Sequence, residues 1–217
     1  MSAWLVRILV FTATFYLAAL AILFVFQDRF IFPAPQDRHA PAAGFQEAEV
    51  TTADGLDLIV HWRPPEEGRP VVAWFHGNAG SLAASANETR TLAREGYGLL
   101  LASYRGYGGN PGSPSEAGFY EDGRAAMGLL RAQGVDPDDT IIASNSIGSG
   151  TAVQMASEYD HAALMMVAPF SSLTDVAAQA MPIFPVRLLL RHRFENAEKL
   201  RGIESPILIL HGDADQV

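Results

Sequence analysis

Ser146 stands in a sequence pattern that can convert a serine hydroxyl into a nucleophile. The stretch 144–148 reads Ser-Asn-Ser-Ile-Gly, and it follows a short apolar run and precedes a segment with helical spacing. Strand, sharp turn and helix in this order predict a nucleophile elbow, with Ser146 at its tip and the backbone N–H of Ile147 free to stabilise an oxyanion. The alternative is an ordinary loop rich in Ser and Gly, so the surrounding motifs must decide.

A second glycine-rich turn lies upstream of the elbow. The apolar run Val71–Phe75 has no polar alternation, which is typical of a strand buried on both faces of a parallel sheet. It is followed by His-Gly-Asn-Ala-Gly at 76–80. Such a turn can point backbone N–H groups into a cleft, which a second oxyanion donor requires. The alternative here is a tight turn that only leads into the next helix.

Apolar strands alternate with helical segments along most of the chain. Further buried strands are predicted at 98–104, 141–143, 163–168 and 206–210, helices at 81–94 and 115–133, and a hairpin at 47–62. This order predicts an α/β fold with a mostly parallel sheet and helices on both faces. Right-handed crossovers then bring the candidate residues to one edge, at the carboxyl ends of the strands.

The N-terminal segment predicts a membrane anchor. Ile8–Phe26 has no charged residue, and its length suits a helix that crosses a bilayer core. We expect an anchor over 1–32, a Pro- and Ala-rich linker over 33–46 and a globular domain over 47–217. A cleaved signal peptide and a buried core helix are the alternatives. Arg7 and the N-terminal amine favour a cytoplasmic N-terminus, with the domain on the non-cytoplasmic side.

Residues 173–201 form short amphipathic pieces, broken by Pro182 and Pro185 and carrying several arginines. Such an insertion between strands predicts either a lid over a pocket or a covering pair of helices with a solvated basic face. We call it the lid-like insertion.

Composition limits the function. The chain has 217 residues, a net charge of -9 and no cysteine. It is long enough for one sizeable domain. The acidic balance, without a basic stripe, argues against a nucleic-acid partner. The lack of cysteine excludes thiol catalysis, disulfides and Cys-ligated zinc, and we expect neither metal nor cofactor. The oligomeric state is left open.

Together these motifs resemble the α/β-hydrolase fold, and specifically its membrane-anchored, serine-aminopeptidase-like acyl hydrolases. The resemblance covers the chain from about Phe32 to its last residue. It rests on the anchor and on the motifs at 76–80, 104–108, 144–148, 169–172 and 211–215.

The resemblance implies a serine hydrolase that cleaves an ester, thioester or amide through an acyl-enzyme on Ser146. Asp215 would be the acid of the catalytic triad, and Asn78 and Ile147 would supply the oxyanion N–H groups. The substrate would be a small-molecule or lipid-like acyl compound. Asp175, after the preceding strand, is the alternative acid.

Two features depart from the family pattern. Ser144 replaces the usual glycine, and the triad histidine of this fold normally lies after one further strand, beyond Val217. We therefore expect the chain to lack the last strand and helix, to be a fragment and to be inactive and prone to aggregate. The alternative is a non-catalytic module. The six histidines are expected to be structural or solvated, with His76 the first candidate for an unusual base.

Overall fold

A mixed sheet forms the centre of the molecule in the computed structural model, which describes residues 2–213. Within those residues seven strands join in the order β1-β2-β4-β3-β5-β6-β7. The pairs β1/β2 and β2/β4 are antiparallel and the other pairs are parallel. The strands are β1 Gln46–Thr51, β2 Asp57–Arg63, β3 Val71–Phe75, β4 Gly98–Ala102, β5 Thr140–Asn145, β6 Ala163–Val167 and β7 Ile207–Leu210. The predicted α/β fold is confirmed.

The helices cover both faces of the sheet. They are α1 Ala3–Ile31, α2 Leu82–Glu88, α3 Arg90–Arg94, α4 Glu116–Ala132, α5 Gly148–Glu158, α6 Leu173–Ala180, α7 Val186–Leu189 and α8 Asn196–Lys199, with 3-10 turns at Pro137–Asp139 and Leu200–Gly202. The expected helix over 81–94 is divided at Thr89, whose hydroxyl donates to the carbonyl of Ser85. A hydroxyl that bonds back to the carbonyl four residues earlier disturbs a helix locally.

Alternation along β3 shows why this strand is apolar throughout. Val71, Ala73 and Phe75 belong to the core cluster that includes residues of α4 and α5. Val72 and Trp74 belong to a second cluster, beside residues of α2 and α3. Because both faces are covered, every side chain of β3 is buried.

The chain changes direction across the sheet between β3 and β5. β3 pairs with β4 on one side and with β5 on the other, although β4 and β5 are successive strands. Such a switch point leaves a crevice at the carboxyl ends of the two strands, where ligands bind in open α/β sheets. The candidate residues of the 76–80 turn and of the elbow both lie at this crevice.

The helix α1 is long and apolar enough to cross a membrane by its length and composition. One 18-residue window has a mean hydropathy of 2.5, and none of that window is buried. The C-terminal end of α1 is different, because Gln27 is buried and Phe32, directly after the helix, joins the main core. The segment 33–46 has no helix and only the first residue of β1, yet it lies against the body, where Gly108 donates to the Pro35 carbonyl.

The strand β7 pairs with β6, and its side chains are 40 to 51% exposed. The three short helices α6, α7 and α8 lie within residues 173–201, and Pro182 and Pro185 stand between α6 and α7.

Candidate active site

Ser146 lies at a sharp turn between β5 and α5. Its φ is 51°, and its side chain is exposed although Ile147 and Gly148 beside it are buried. The Ser146 N–H donates to the Val167 carbonyl at 2.9 Å, and the Ser146 carbonyl accepts from the Ser149 N–H at 2.9 Å. Positive φ is costly for a serine and persists only when the surroundings impose it. The turn therefore has the form that the predicted nucleophile elbow requires.

Gly148 explains the glycine of the motif. A Cβ on this residue would lie 2.1 Å from the Phe75 carbonyl oxygen and 2.7 Å from that of His76. Since no side chain fits at those distances, only glycine lets the first turn of α5 approach the end of β3.

Ser144 occupies the position where the resemblance leads one to expect glycine. It pairs with Phe75 on one side and Met166 on the other, and it is fully buried. Its hydroxyl has no hydrogen-bond partner among residues 2–213. β5 thus holds a serine side chain at this position while it stays paired with β3 and β6.

The turn after β3 lies directly beside Ser146. A Cβ on Gly77 would be 3.5 Å from the Ser146 Cβ. In the part of the chain that the structure describes, the backbone N–H groups of Asn78 and Ile147 donate to no acceptor. Ile147 is also the N-cap residue of α5, where the helix dipole favours negative charge. Two unused donors near one serine hydroxyl can stabilise an oxyanion.

The side chain of Asn78 is held from two directions. Its Oδ1 accepts from the Tyr107 hydroxyl at 2.9 Å, and its Nδ2 donates to the Ile31 carbonyl at 2.6 Å. Burial raises the pKa of Tyr107 above its usual range, so the hydroxyl keeps its proton at neutral pH. The loop after β4 and the end of α1 therefore fix the 76–80 turn, which we call the oxyanion turn because an oxyanion donor is predicted there. The sequence did not indicate this contact of α1.

Arg105 anchors the loop that carries Tyr107. Its Nε donates to Asp122 of α4 at 2.9 Å, and its Nη1 donates to Asp54 of the β1–β2 turn at 2.8 Å. The hydrogen bond from Arg105 holds the pKa of Asp54 well below its usual range. Arg105 therefore joins the β1–β2 hairpin, the loop after β4 and α4.

His76, the first residue of the 76–80 turn, is buried. Its Nδ1 donates to the Gly77 carbonyl at 2.8 Å, and its ring packs on Tyr104 with centroids 4.6 Å apart. Burial lowers the pKa of His76 to about 4. An imidazole with that pKa is a weak general base at neutral pH, which argues against His76 as the unusual base.

The other histidines have separate surroundings. His39 is exposed, His61 is buried in β2, His161 contacts Ser205, His192 contacts Asp28 and His211 follows β7. Burial lowers the pKa of His61. None of His39, His61, His161 and His192 hydrogen-bonds Ser146, and neither does His76.

The two candidate acids differ in what can be described. Asp215 lies outside the described residues. Asp175, in the first turn of α6, accepts from Arg187 at 2.7 Å and from the Ser171 hydroxyl at 3.1 Å. Hydrogen bonds lower the pKa of Asp175, and the one with Ser172 has the largest effect. Asp175 thus already has partners on the protein surface.

Residues 2–213 contain no group of three or more His, Asp or Glu side chains placed to hold a metal ion.

Comparison with known proteins places this arrangement in a family. The family model described as serine aminopeptidase, S33, matches residues 66–194. An uncharacterised protein of Mycobacterium tuberculosis strain H37Rv is 36% identical over 188 residues, which cover 85% of this chain and 66% of that protein. The chain therefore spans slightly less than two thirds of this relative.

Solved structures share the fold. An α/β-hydrolase of Vibrio vulnificus aligns with a TM-score of 0.64 and 26% identity, over 79% of this chain and 65% of that one. An esterase of Pyrococcus furiosus aligns with a TM-score of 0.62 and 18% identity, over 81% of this chain and 75% of that one. The chain therefore belongs to the serine aminopeptidase S33 family of the α/β-hydrolase superfamily.

Proposed function

We propose that this protein is a membrane-anchored serine hydrolase that cleaves an ester, thioester or amide through an acyl-enzyme on Ser146. The observation that carries the proposal is the exposed Ser146 at φ 51°, beside two backbone N–H groups without acceptors. A strained nucleophile next to unused donors is the arrangement that acyl transfer needs.

In the proposed reaction the Ser146 Oγ attacks the acyl carbonyl carbon while a general base takes the hydroxyl proton. The carbonyl oxygen becomes an oxyanion that accepts hydrogen bonds from the N–H groups of Asn78 and Ile147. The tetrahedral intermediate then collapses, the C–O, C–S or C–N bond breaks, and the base returns its proton to the leaving alcohol, thiol or amine. A water molecule attacks the acyl-enzyme in the same manner and releases the acid. No cofactor takes part in this scheme.

We further propose Asp215 as the acid that orients the base. It follows β7 by five residues, and β7 runs parallel to β6, so its carboxyl end lies at the same edge as the elbow. The base itself is proposed to be a histidine other than His76, because His76 is buried, its Nδ1 is bonded to the Gly77 carbonyl, and burial lowers its pKa to about 4.

The membrane part of the proposal concerns α1. Residues 1–32 would anchor the protein, 33–46 would link the anchor to the domain at 47–217, and the domain would lie on the non-cytoplasmic side. Contacts of Gln27 and Ile31 with the body favour retention of α1 over its cleavage as a signal. Retained protein would stay with membranes through a carbonate wash, whereas a mature N-terminus beyond Phe26 would contradict the anchor.

A second candidate is a non-catalytic module that uses the fold for protein contact. It is favoured by the lack of a hydrogen bond between Ser146 and His39, His61, His76, His161 or His192.

A fluorophosphonate probe separates the two candidates. Full-length protein, which here means the product of the complete gene, is treated with the probe in membranes. The labelled peptides are then mapped. Ser146 should be labelled, Ser146→Ala should not be, and Ser157→Ala, at an exposed serine of α5, should behave like the wild type. Equal labelling of the wild type and Ser146→Ala, or none at Ser146, would contradict the enzyme.

A further inference from the structure

Two polar side chains of α1 bind the backbone of the lid-like insertion. The Tyr16 hydroxyl donates to the Ile183 carbonyl at 2.8 Å. The Gln27 amide donates to the Leu189 carbonyl at 3.3 Å and accepts from the Arg191 N–H at 2.8 Å. The ring of Tyr16 also stacks on Phe184, with centroids 5.6 Å apart. Tyr16 and Gln27 therefore each donate to a backbone carbonyl of the segment 181–190.

The segment 181–190 also satisfies much of its own backbone. Phe184 donates to Met181, Leu188 to Pro185 and Leu190 to Val186, at 2.8 to 3.1 Å. Its two prolines have no N–H to satisfy. In hydrocarbon, irregular backbone is tolerated only where its polar groups find protein partners. The segment, together with Tyr16 and Gln27, largely meets that condition.

The outward side of the same segment carries two exposed apolar residues and one charged residue, Arg187, whose guanidinium pairs with Asp175 at 2.7 Å. Ile183 is 71% exposed and Leu188 is 82% exposed, and they lie on the insertion that α1 contacts. Apolar side chains of α1 itself are exposed along most of its length. Exposed apolar surface that continues from a candidate membrane span indicates contact with a bilayer.

The depth of the contact follows from helix geometry. Asp28 pairs with Arg191 at 2.8 Å, which marks a charged level at the end of α1. Tyr16 precedes Asp28 by twelve residues, or about 18 Å along the helix axis at 1.5 Å per residue. A bilayer core is about 30 Å thick. If α1 crosses the membrane with Asp28 at the interface, the Tyr16–Ile183 contact lies inside the apolar layer.

A groove of about 130 Å³ separates α1 from the insertion. Its walls are almost entirely apolar and include Leu20, Leu23, Phe24, Val176, Ala177 and Met181. Ile31 also lines the groove, and its carbonyl is the acceptor for Asn78. The groove thus begins between membrane-facing elements and ends at a residue that touches the oxyanion turn.

We propose that the segment 181–190 is a re-entrant element that lies in the same apolar layer as α1, and that the groove between them takes the acyl chain of a membrane lipid. The chain would enter sideways from the bilayer, with its carbonyl directed toward Ser146. The position of the segment in the apolar layer rests on the proposed membrane anchor, and the use of the lipid as substrate rests on the proposed hydrolase activity. Binding of the acyl chain in the groove does not require hydrolysis.

Because the chain has no cysteine, single introduced cysteines can report whether the segment 181–190 lies in the apolar layer. Full-length Ile183→Cys and Leu188→Cys proteins are labelled with an environment-sensitive fluorophore in phosphatidylcholine vesicles. Quenchers attached to lipid acyl chains should suppress both signals, and aqueous iodide should not. Ala132→Cys, exposed at the end of α4, is the matched control and should respond only to iodide. Ile183 and Leu188 labels that respond only to iodide would overturn the proposed position of the segment.

The occupant of the groove is tested with phosphatidylcholine that carries a diazirine in its acyl chain. After illumination, adducts should map to Val176, Ala177 or Met181, in Ser146→Ala as well as in the wild type. Ala177→Phe should reduce these adducts several-fold, and Ala180→Phe, at an exposed position, should not. Adducts confined to the outward residues of α1 in the wild type would overturn the groove proposal. Groove adducts without hydrolysis of the lipid would support binding and count against the proposed function alone.

Discussion

The two sides of the candidate site are held by different means. On the elbow side, backbone packs on backbone: the pairing of β3 with β5 and the contact of Gly148 with the Phe75 carbonyl leave no room for adjustment. On the lid side, the insertion is held to α1 by a few side-chain bonds, such as those of Tyr16 and Gln27. We infer that the geometry of the proposed nucleophile is set by the sheet, whereas the position of the lid-like insertion depends on α1.

The prediction with the largest expected effect tests whether the catalytic acid is Asp215, after β7, or Asp175, in the lid-like insertion. Asp215→Asn should lower kcat by about 10⁴-fold, the size found for an Asp-to-Asn change in the triad of a well-studied serine protease. Asp175→Asn should change kcat by less than about 10-fold, since its carboxylate is in an exposed ion pair. Steady-state kinetics of the full-length variants measure both. The reverse order would place the acid in the insertion.

A glycine pair tests the tight packing of the elbow side. Gly148→Ala should lower the free energy of unfolding by about 1–3 kcal/mol or more, because its Cβ overlaps the Phe75 carbonyl. Gly128→Ala is the control, since a Cβ there meets nothing within 4 Å. It lies inside α4, where alanine should stabilise by about 0.5–1 kcal/mol. Denaturant unfolding compares them, and equal effects would contradict the packing argument.

Acid should weaken the elbow side through His76. Because its folded pKa of about 4 lies below the usual value of 6.5, the unfolded state binds the proton first as pH falls. Stability should be full above pH 6.5 and fall toward pH 4, by up to about 1.4 kcal/mol per pH unit. Denaturant unfolding across this range, with His76→Gln for comparison, measures the slope. Identical slopes would exclude His76 as the source.

The smallest expected effect concerns the bond that joins the loop after β4 to the oxyanion turn. Tyr107→Phe removes the donor to Asn78, so kcat should fall about 10-fold with little change in KM, and stability should fall by about 1 kcal/mol. Tyr97→Phe, on the opposite cluster, is the control. A change in KM alone would show that Tyr107 contacts the substrate and does not position Asn78.

Much of the elbow side could be predicted from the sequence. The apolar runs of β3 and β5 have no polar alternation because both faces are covered, and a glycine two residues after Ser146 is required by a backbone contact. These are local requirements, so they leave local patterns.

The lid side could not be predicted in the same way. The bonds from Tyr16 to Ile183 and from Asn78 to Ile31 join residues that are 167 and 47 positions apart. Such contacts leave no periodicity, and the only available signal was the presence of Tyr16 and Gln27 in an apolar helix. Asp215 lies outside the described residues and stays a prediction, as do Asn78 and Ile147 as oxyanion donors.

The hydrogen bond between Asn78 and the last carbonyl of α1 has a consequence for the choice of membrane. A helix whose apolar length exceeds the local hydrocarbon thickness tilts to compensate. If α1 spans the bilayer as proposed, its tilt would move the Ile31 carbonyl relative to the oxyanion turn, because the sheet fixes the turn and the bilayer fixes the helix. We therefore expect turnover to vary with lipid chain length even for a soluble ester, so that bilayer thickness itself acts on the rate.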